Sequence, residues 1–281
     1  MTPKTITPHQ FAQRTLVLMW AVFAIAQLDR HILSLSLDAI STEFGLTDTQ
    51  LGLLSGLAFA LVFVVVGFPV AALCARYDRH KIIGASVAVW SGFTVIMGVA
   101  HSIGVLLLAR ICVGAGEAGA VAPAHSILSD AFPNEKHATV LSTFATGANI
   151  GVLLAAFIGG GIGQIYGWHA AFVGAGVPGL ILAVLLVVRG RDPQIRPRVD
   201  LGLVMIFTLT WQTIFQERIA RLALLAFCMQ GTFTFGTSAW APTYLIRQFD
   251  LNVAQIAGFV VVSTGLIGAI STYASGRLVD Y

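Results

Sequence analysis

Charge is what this 281-residue sequence has least of: Asp, Glu, Lys and Arg together make up 10% of it. Soluble domains carry about 25%, so water is excluded as the solvent for most of this surface. Cysteine is scarcer still. Cys74, Cys112 and Cys228 all lie inside apolar runs, which leaves no even set for a disulfide framework and no metal-ligand spacing. The formal charge is only +3, and the basic residues fall between apolar runs rather than in one patch, so nucleic acid is not an expected partner. A cleavable signal peptide is also missing from the expected features. The first apolar run, residues 15–37, holds Asp29 and Arg30 and exceeds the roughly 7–15 residues of a signal core.

Apolar length is what the sequence does have. Hydrophobic residues make up 57% and the mean hydropathy is +0.84. A bilayer core of about 30 Å needs roughly 20 apolar residues in a helix. Runs at 15–37, 51–74, 82–101, 104–129, 138–165, 169–189, 219–246 and 254–276 therefore predict eight transmembrane helices. Backbone groups in hydrocarbon must bond within the structure, and runs of this length suit helices rather than barrel strands.

Loop charges set the expected orientation. With a cytoplasmic N-terminus, that side collects Lys4, Arg14, Arg76, Arg79, Lys81, Lys136, Arg189, Arg191, Arg196, Arg198, Arg218, Arg221 and Arg277. The opposite side receives only Arg247, and its first loop is acidic, with Asp38, Glu43 and Asp48. This bias predicts a multi-pass protein of the cell inner membrane with its N-terminus inside. The expected organisation is a cytoplasmic N-terminus (1–14), a six-helix bundle (15–189), a basic cytoplasmic linker ending in an interfacial helix with Trp211 and Phe215 (190–218), and two further helices (219–281).

An internal repeat supports that division. At an offset of 205 residues, Phe44, Leu46, Gln50 and Leu73 fall on Phe249, Leu251, Gln255 and Leu278, and Leu51 falls on Ile256. Helix 2 then corresponds to helix 8, a unit of six helices, and parallel six-helix repeats are a transporter architecture. A second unit of six is expected beyond the two helices present, so the sequence reads as part of a protein of about twelve.

Four ionisable residues lie inside apolar runs: Asp29, Arg30, Arg110 and Glu117. Each costs about 2.5–3.5 kcal/mol at the bilayer centre, and such residues are functional candidates by default. Arg110 and Glu117, seven residues apart, share a helix face at a separation of about 10 Å, too far for a direct pair. Each is expected to find a partner on another helix, and bringing helix 1 against helix 4 gathers all four into one cluster. A carboxylate in a low-dielectric cavity holds a proton more readily than in water, and a nearby guanidinium releases it. Glu117 is the first candidate proton carrier and Asp29 the second, with Arg30 and Arg110 as the substrate- and coupling-linked cations. A static ion-pair network that fixes helix packing is the competing reading.

Gly114, Gly116 and Gly119 surround Glu117, and Gly147, Gly151, Gly159, Gly160, Gly161 and Gly163 line helix 5. Both tight packing and a sliding contact fit them. His31, Asn149, Gln230, Trp240 and Tyr244 are the candidates to line a central cavity; Trp240, Pro242 and Tyr244 also fit an interfacial aromatic belt with a kink. No cofactor, metal site or enzymatic nucleophile–base set is expected.

The sequence resembles the major facilitator superfamily, and within it the spinster-like branch. The resemblance rests on Leu28-Asp29-Arg30 with Leu33, on Phe44-Gly45-Leu46-Thr47-Asp48-Thr49-Gln50-Leu51-Gly52, and on Arg110 followed by Gly114, Gly116, Glu117 and Ala118. It rests also on Trp240, Pro242 and Arg247, with Gly167-Trp168 and Ala171-Phe172. It implies an all-α polytopic membrane protein: a major facilitator-type six-helix bundle plus the first two helices of a second. It further implies a monomer moving a small organic or amphipathic solute, with protons, by alternating access, and gives Asp29, Arg30, Arg110 and Glu117 the coupling roles. The cytoplasmic gate would fall on Arg76, Asp78, Arg79 and Asp280. The loop between helices 2 and 3 departs from the family pattern, reading Ala71, Ala75 and Arg76 where glycine, aspartate and arginine are usual, with Asp78 as a possible substitute. The second copy keeps Gly276, Arg277 and Asp280. An uncoupled facilitator and an inactive fragment are the alternatives.

Overall fold

The computed structural model describes residues 8–190, 192 and 203–280. The expectations that rest on Lys4, Arg191, Arg196 and Arg198 lie outside the described residues. Among those described, every regular element is helical. The helices are α1 (Pro8–Phe44), α2 (Asp48–Gly52), α3 (Ala58–Arg76), α4 (Arg79–Gly98), α5 (Ile103–Glu117), α6 (Val121–Ala131), α7 (His137–Phe157), α8 (Gly163–Arg189), α9 (Leu203–Gln216), α10 (Arg218–Phe249), α11 (Val253–Val260) and α12 (Gly268–Val279). π-Helical turns at Leu53–Leu57, Ile158–Ile162 and Val261–Ile267 join α2 to α3, α7 to α8 and α11 to α12 without a break.

Among the described residues, seven continuous helical stretches are long and apolar enough to cross a membrane, and one of them, His137–Arg189, has 53 residues. At about 1.5 Å per residue it is far longer than one crossing. It folds back at Gly167, whose φ of +84° lies in the left-handed region that glycine enters without a Cβ clash. Beyond that point Gly174 approaches the side chains of Ile158 and Ile162, contacts a straight helix would hold far apart. The seven stretches therefore make eight passes, as the hydropathy pattern predicts.

The fourth pass differs from expectation by being broken. Residues 104–129 read as one helix, but α5 ends at Glu117 and α6 begins at Val121. Pro123 has no N–H and its ring crowds the carbonyl four residues earlier. Across the break the backbone tightens: the Gly119 amide donates to the Gly116 carbonyl at 3.1 Å and the Ala120 amide to that of Glu117 at 3.2 Å. Glu117 thus stands at the joint of a kinked helix.

Local chemistry repeats where the sequence repeats. Thr47 caps α2 in a capping box with Gln50, and Asn252 caps α11 in a capping box with Gln255. Before each cap lies a left-handed residue, Gly45 at φ 63° and Asp250 at φ 52°. Leu51 and Ile256, the next apolar positions, are both buried. The four pairs keep the 205-residue offset, so the α1–α2 and α10–α11 corners are one motif used twice.

Packing is tightest where glycine removes the Cβ. A Cβ on Gly147 would lie 2.6 Å from the carbonyl oxygen of Trp20, and one on Gly151 would collide with that of Ala24, so α7 rests backbone to backbone on α1. Gly116 meets the backbone of Trp90 on α4 in the same way, and Gly114 that of Phe59 on α3. The core residues Trp90, Phe144, Phe172, Leu28 and Ile32 fill the space between these contacts. By contrast α10 and the α11–α12 pass are largely exposed. They touch the first six passes mainly along α1 and α7. The α9 helix packs on α3, with Phe207 edge-on to Phe68 at 5.3 Å.

Candidate functional site

The four ionisable residues expected from sequence to cluster are brought together between α1 and α5, as two ion pairs. Arg30 donates from Nε at 2.8 Å and from Nη2 at 2.5 Å, both to Oε2 of Glu117. Arg110 donates from Nη1 to Oδ2 of Asp29 at 3.3 Å, and the Thr94 hydroxyl donates to Oδ1 of the same carboxylate. The Thr94 contact was not legible in the sequence, where it is one hydroxyl among many on α4.

Phe59 welds the two pairs into one unit. Its ring centroid lies 5.2 Å from the Arg30 guanidinium carbon and 4.5 Å from that of Arg110. Phe63, one turn on, and Phe235 from α10 each lie 5.8 Å from Arg30. Such ring faces attract a cation, more strongly once water is excluded. With both carboxylates ionised, the two guanidinium groups would balance them.

Exposure separates the four members. The side chains of Glu117, Arg110 and Asp29 are 1%, 3% and 4% exposed, while that of Arg30 is 19% exposed. Both bonds of Arg30 go to one oxygen of Glu117; Oε1 is buried and has no hydrogen-bond partner. An unpartnered buried carboxylate oxygen is costly.

The remaining candidates are distributed around this centre. Asn149 is buried on α7 and donates from Nδ2 to the Thr264 carbonyl at 2.7 Å, so it tethers the last pass. His31 is mostly buried beside Arg30, whereas Gln230 is exposed on α10. Trp240 and Tyr244 line a pocket of about 270 Å³ with Asp48, Thr243, Arg247 and Gln248 at the far end of the bundle. There Arg247 bridges Asp38 at 3.1 Å and Asp48 at 2.8 Å, which pins α10 to both sides of the first corner. Ser34 adds a hydrogen bond to the carbonyl of Ser238 at 2.7 Å.

The gate candidates divide into two kinds. Arg79 is buried and binds Asp192 at 2.6 Å, Asp130 at 2.7 Å and Ser126 at 2.8 Å. It clamps α4 and α6 to the segment that follows α8. Asp78 caps α4, accepting from the amides of His80 and Lys81. Arg76 is exposed at the end of α3. Asp280 alone reaches between the repeats. Its carboxylate accepts from the amides of Ala138 at 3.2 Å and Thr139 at 2.6 Å, at the first turn of α7, where free N–H groups and the helix dipole favour an anion. The Thr139 side chain, together with those amides, holds the Asp280 carboxyl below the usual carboxylate range.

Comparison with known proteins places these features in context. The sequence profile described as Major Facilitator Superfamily matches residues 19–281. A protein of Mycolicibacterium smegmatis named as an MFS-type efflux pump is 26% identical over 275 residues, covering 93% of this chain and 62% of its own length. A probable galactarate/D-glucarate transporter of Bacillus subtilis is 25% identical over 94% of this chain and 63% of its own length. The crystal structure of a bacterial homologue of the human lysosomal transporter Spinster, inward-facing and unoccupied, superimposes with a TM-score of 0.75 at 25% identity. It covers 94% of this chain and 60% of that one. The chain thus spans about three-fifths of the length of the relatives it matches, and those relatives are transporters rather than enzymes.

Proposed function

The chain belongs to the Major Facilitator Superfamily, and from that premise we propose that it serves a secondary active transporter that carries a small organic anion together with a proton by alternating access. The observation that carries this reading is the Arg30–Glu117 pair: a buried carboxylate with one free oxygen, held by the one guanidinium of the cluster with appreciable exposure.

The coupling follows from charge balance. With both carboxylates ionised the cluster is neutral. A proton on Glu117 converts an ion pair into a weaker hydrogen bond from a cation to a neutral acid and leaves the cluster with a net positive charge. Net charge in a low-dielectric interior is costly unless it is paired. A solute carboxylate that takes the released Arg30 fork restores neutrality, so proton and anion are stabilised together and each is disfavoured alone. The Asp29–Arg110 pair, sealed and braced by Thr94, serves as the second carboxylate of the relay and as the support that holds Phe59 against Arg30.

The scaffold supports the same reading. We assign residues 15–189 to a first six-pass bundle, 190–218 to a cytoplasmic linker and 219–281 to the start of a second bundle, in the cell inner membrane with the N-terminus inside. Arg247 with Asp38 and Asp48 then acts at the outer face, and Asp280 with the start of α7 at the cytoplasmic face. Breaking the two in alternation opens one side at a time. The relatives include proteins named for transport of galactarate, L-galactonate, hexuronate, cis,cis-muconate and 4-hydroxybenzoate, which fits an organic anion as cargo. The test is uptake of a panel of organic acids into proteoliposomes under imposed pH gradients. Accumulation that follows the inward proton gradient is expected; uptake indifferent to the gradient for every solute would overturn the coupling.

A further inference from the structure

The surroundings of Arg30 carry the reading one step further, to the class of anion, and this step rests on the assignment of Arg30 as the solute's partner. We propose that the solute is a monocarboxylate with an apolar body, whose carboxylate takes Arg30 while its ring or chain lies against Phe59, Phe63 and Phe235, and that polyhydroxylated sugar acids are poor ligands.

Three observations support it. First, the guanidinium of Arg30 is walled by phenyl rings from two different passes, at 5.2, 5.8 and 5.8 Å. Phe59 and Phe63 stack on each other at 5.6 Å with an interplanar angle of 27°, which presents one continuous apolar wall. Hydroxyl groups lodged against such a wall lose hydrogen bonds to water without gaining others, whereas a phenyl or alkyl body gains by leaving water. Second, the cation supply suits one carboxylate. Arg110 is committed to Asp29 at 3.3 Å and is 3% exposed, so within the cluster it offers no second fork to a dicarboxylate. Third, Phe235 belongs to α10 while Phe59 and Phe63 belong to α3. An apolar body held between them touches both repeats, which is what a solute must do to bias one arrangement of the two against the other.

The test is ligand protection of the purified protein in detergent at pH 6, read as the concentration-dependent rise in unfolding temperature, with benzoate, hexanoate, glucuronate and galactarate as probes. No pH gradient is present, so the outcome does not depend on coupling. Benzoate or hexanoate, in either order, is expected to half-saturate at about tenfold or more lower concentration than glucuronate or galactarate, the ratio that 1.4 kcal/mol gives. Phe235→Ala, at a half-exposed position that tolerates truncation, is expected to weaken benzoate about three- to tenfold and Phe235→Leu less. Tighter protection by either sugar acid, or an unchanged benzoate response in Phe235→Ala, overturns the inference. Gradient-driven uptake of glucuronate with no benzoate binding would overturn it while leaving the proton-coupled reading intact. Benzoate binding with no proton-linked flux would do the reverse.

Discussion

Replacing Arg30 by glutamine strands the most buried carboxylate among the described residues. Glu117 is 1% exposed, receives both of its hydrogen bonds from Arg30 on Oε2, and has no partner on Oε1. Removing one partner of a buried ion pair costs about 3–5 kcal/mol because a charge is left uncompensated. That corresponds to roughly two to three and a half powers of ten in the folding equilibrium. The reverse change, Glu117→Gln, is expected to cost less. The amide oxygen still accepts from the Arg30 fork, and Arg30 at 19% exposure can draw on water and on three ring faces. In the double variant no charge is stranded, so most of the Arg30→Gln loss returns. Unfolding of the four proteins in mixed micelles, titrated with denaturing detergent, gives the cycle directly. A coupling of about 2 kcal/mol is expected; additivity within about 0.5 kcal/mol, the behaviour of independent sites, would refute the assignment of a desolvated pair.

Other expectations follow from the same coordinates. Gly151→Ala drives a methyl group into the Ala24 carbonyl across the α1–α7 seam and is expected to lower stability by about 1–3 kcal/mol. Gly92→Ala, with nothing within 4 Å of the new atom, should instead raise it by about 0.5–1 kcal/mol, both read as shifts in thermal midpoint. Arg247→Gln is expected to change stability by no more than about 1 kcal/mol, because Arg247, Asp38 and Asp48 are 41%, 28% and 68% exposed. A larger loss in the same melt would contradict that. Asp280 has a folded carboxyl held below its ordinary value of 3.8. Its contribution is therefore present above that pH and is lost as the pH falls below it. Amide exchange at Thr139 should be faster in Asp280→Ala than in the wild type at neutral pH, and the difference should vanish in strong acid.

How much of this was legible in advance depends on which physical signal each feature leaves. Pass number and approximate limits were legible because about 20 apolar residues are needed wherever a helix crosses lipid. The corner motif was legible because Gln50 and Gln255 sit three residues after their capping residues in both copies. The convergence of Asp29, Arg30, Arg110 and Glu117 was legible because charges in hydrocarbon must find each other. Which cation meets which anion was not, since that depends on the rotation of α1 against α5. The break after Glu117 was signalled by Pro123 but hidden inside a run whose hydropathy never falls. Phe59, Phe63 and Phe235 were missed because a phenylalanine in an apolar helix looks alike whether it faces lipid or a guanidinium. Arg79 was placed at the gate by the family resemblance; only the fold shows that its partners are Asp130 on α6 and Asp192 just after α8.

The central claim is that Glu117 carries the proton that accompanies the solute. It is tested most directly by recording internal pH, with a trapped fluorescent dye, as an organic acid is added to proteoliposomes holding the wild type or Glu117→Gln. The account predicts solute-dependent acidification with the wild type and none with Glu117→Gln, while exchange of labelled for unlabelled solute persists in both. Acidification of equal size from Glu117→Gln would contradict it.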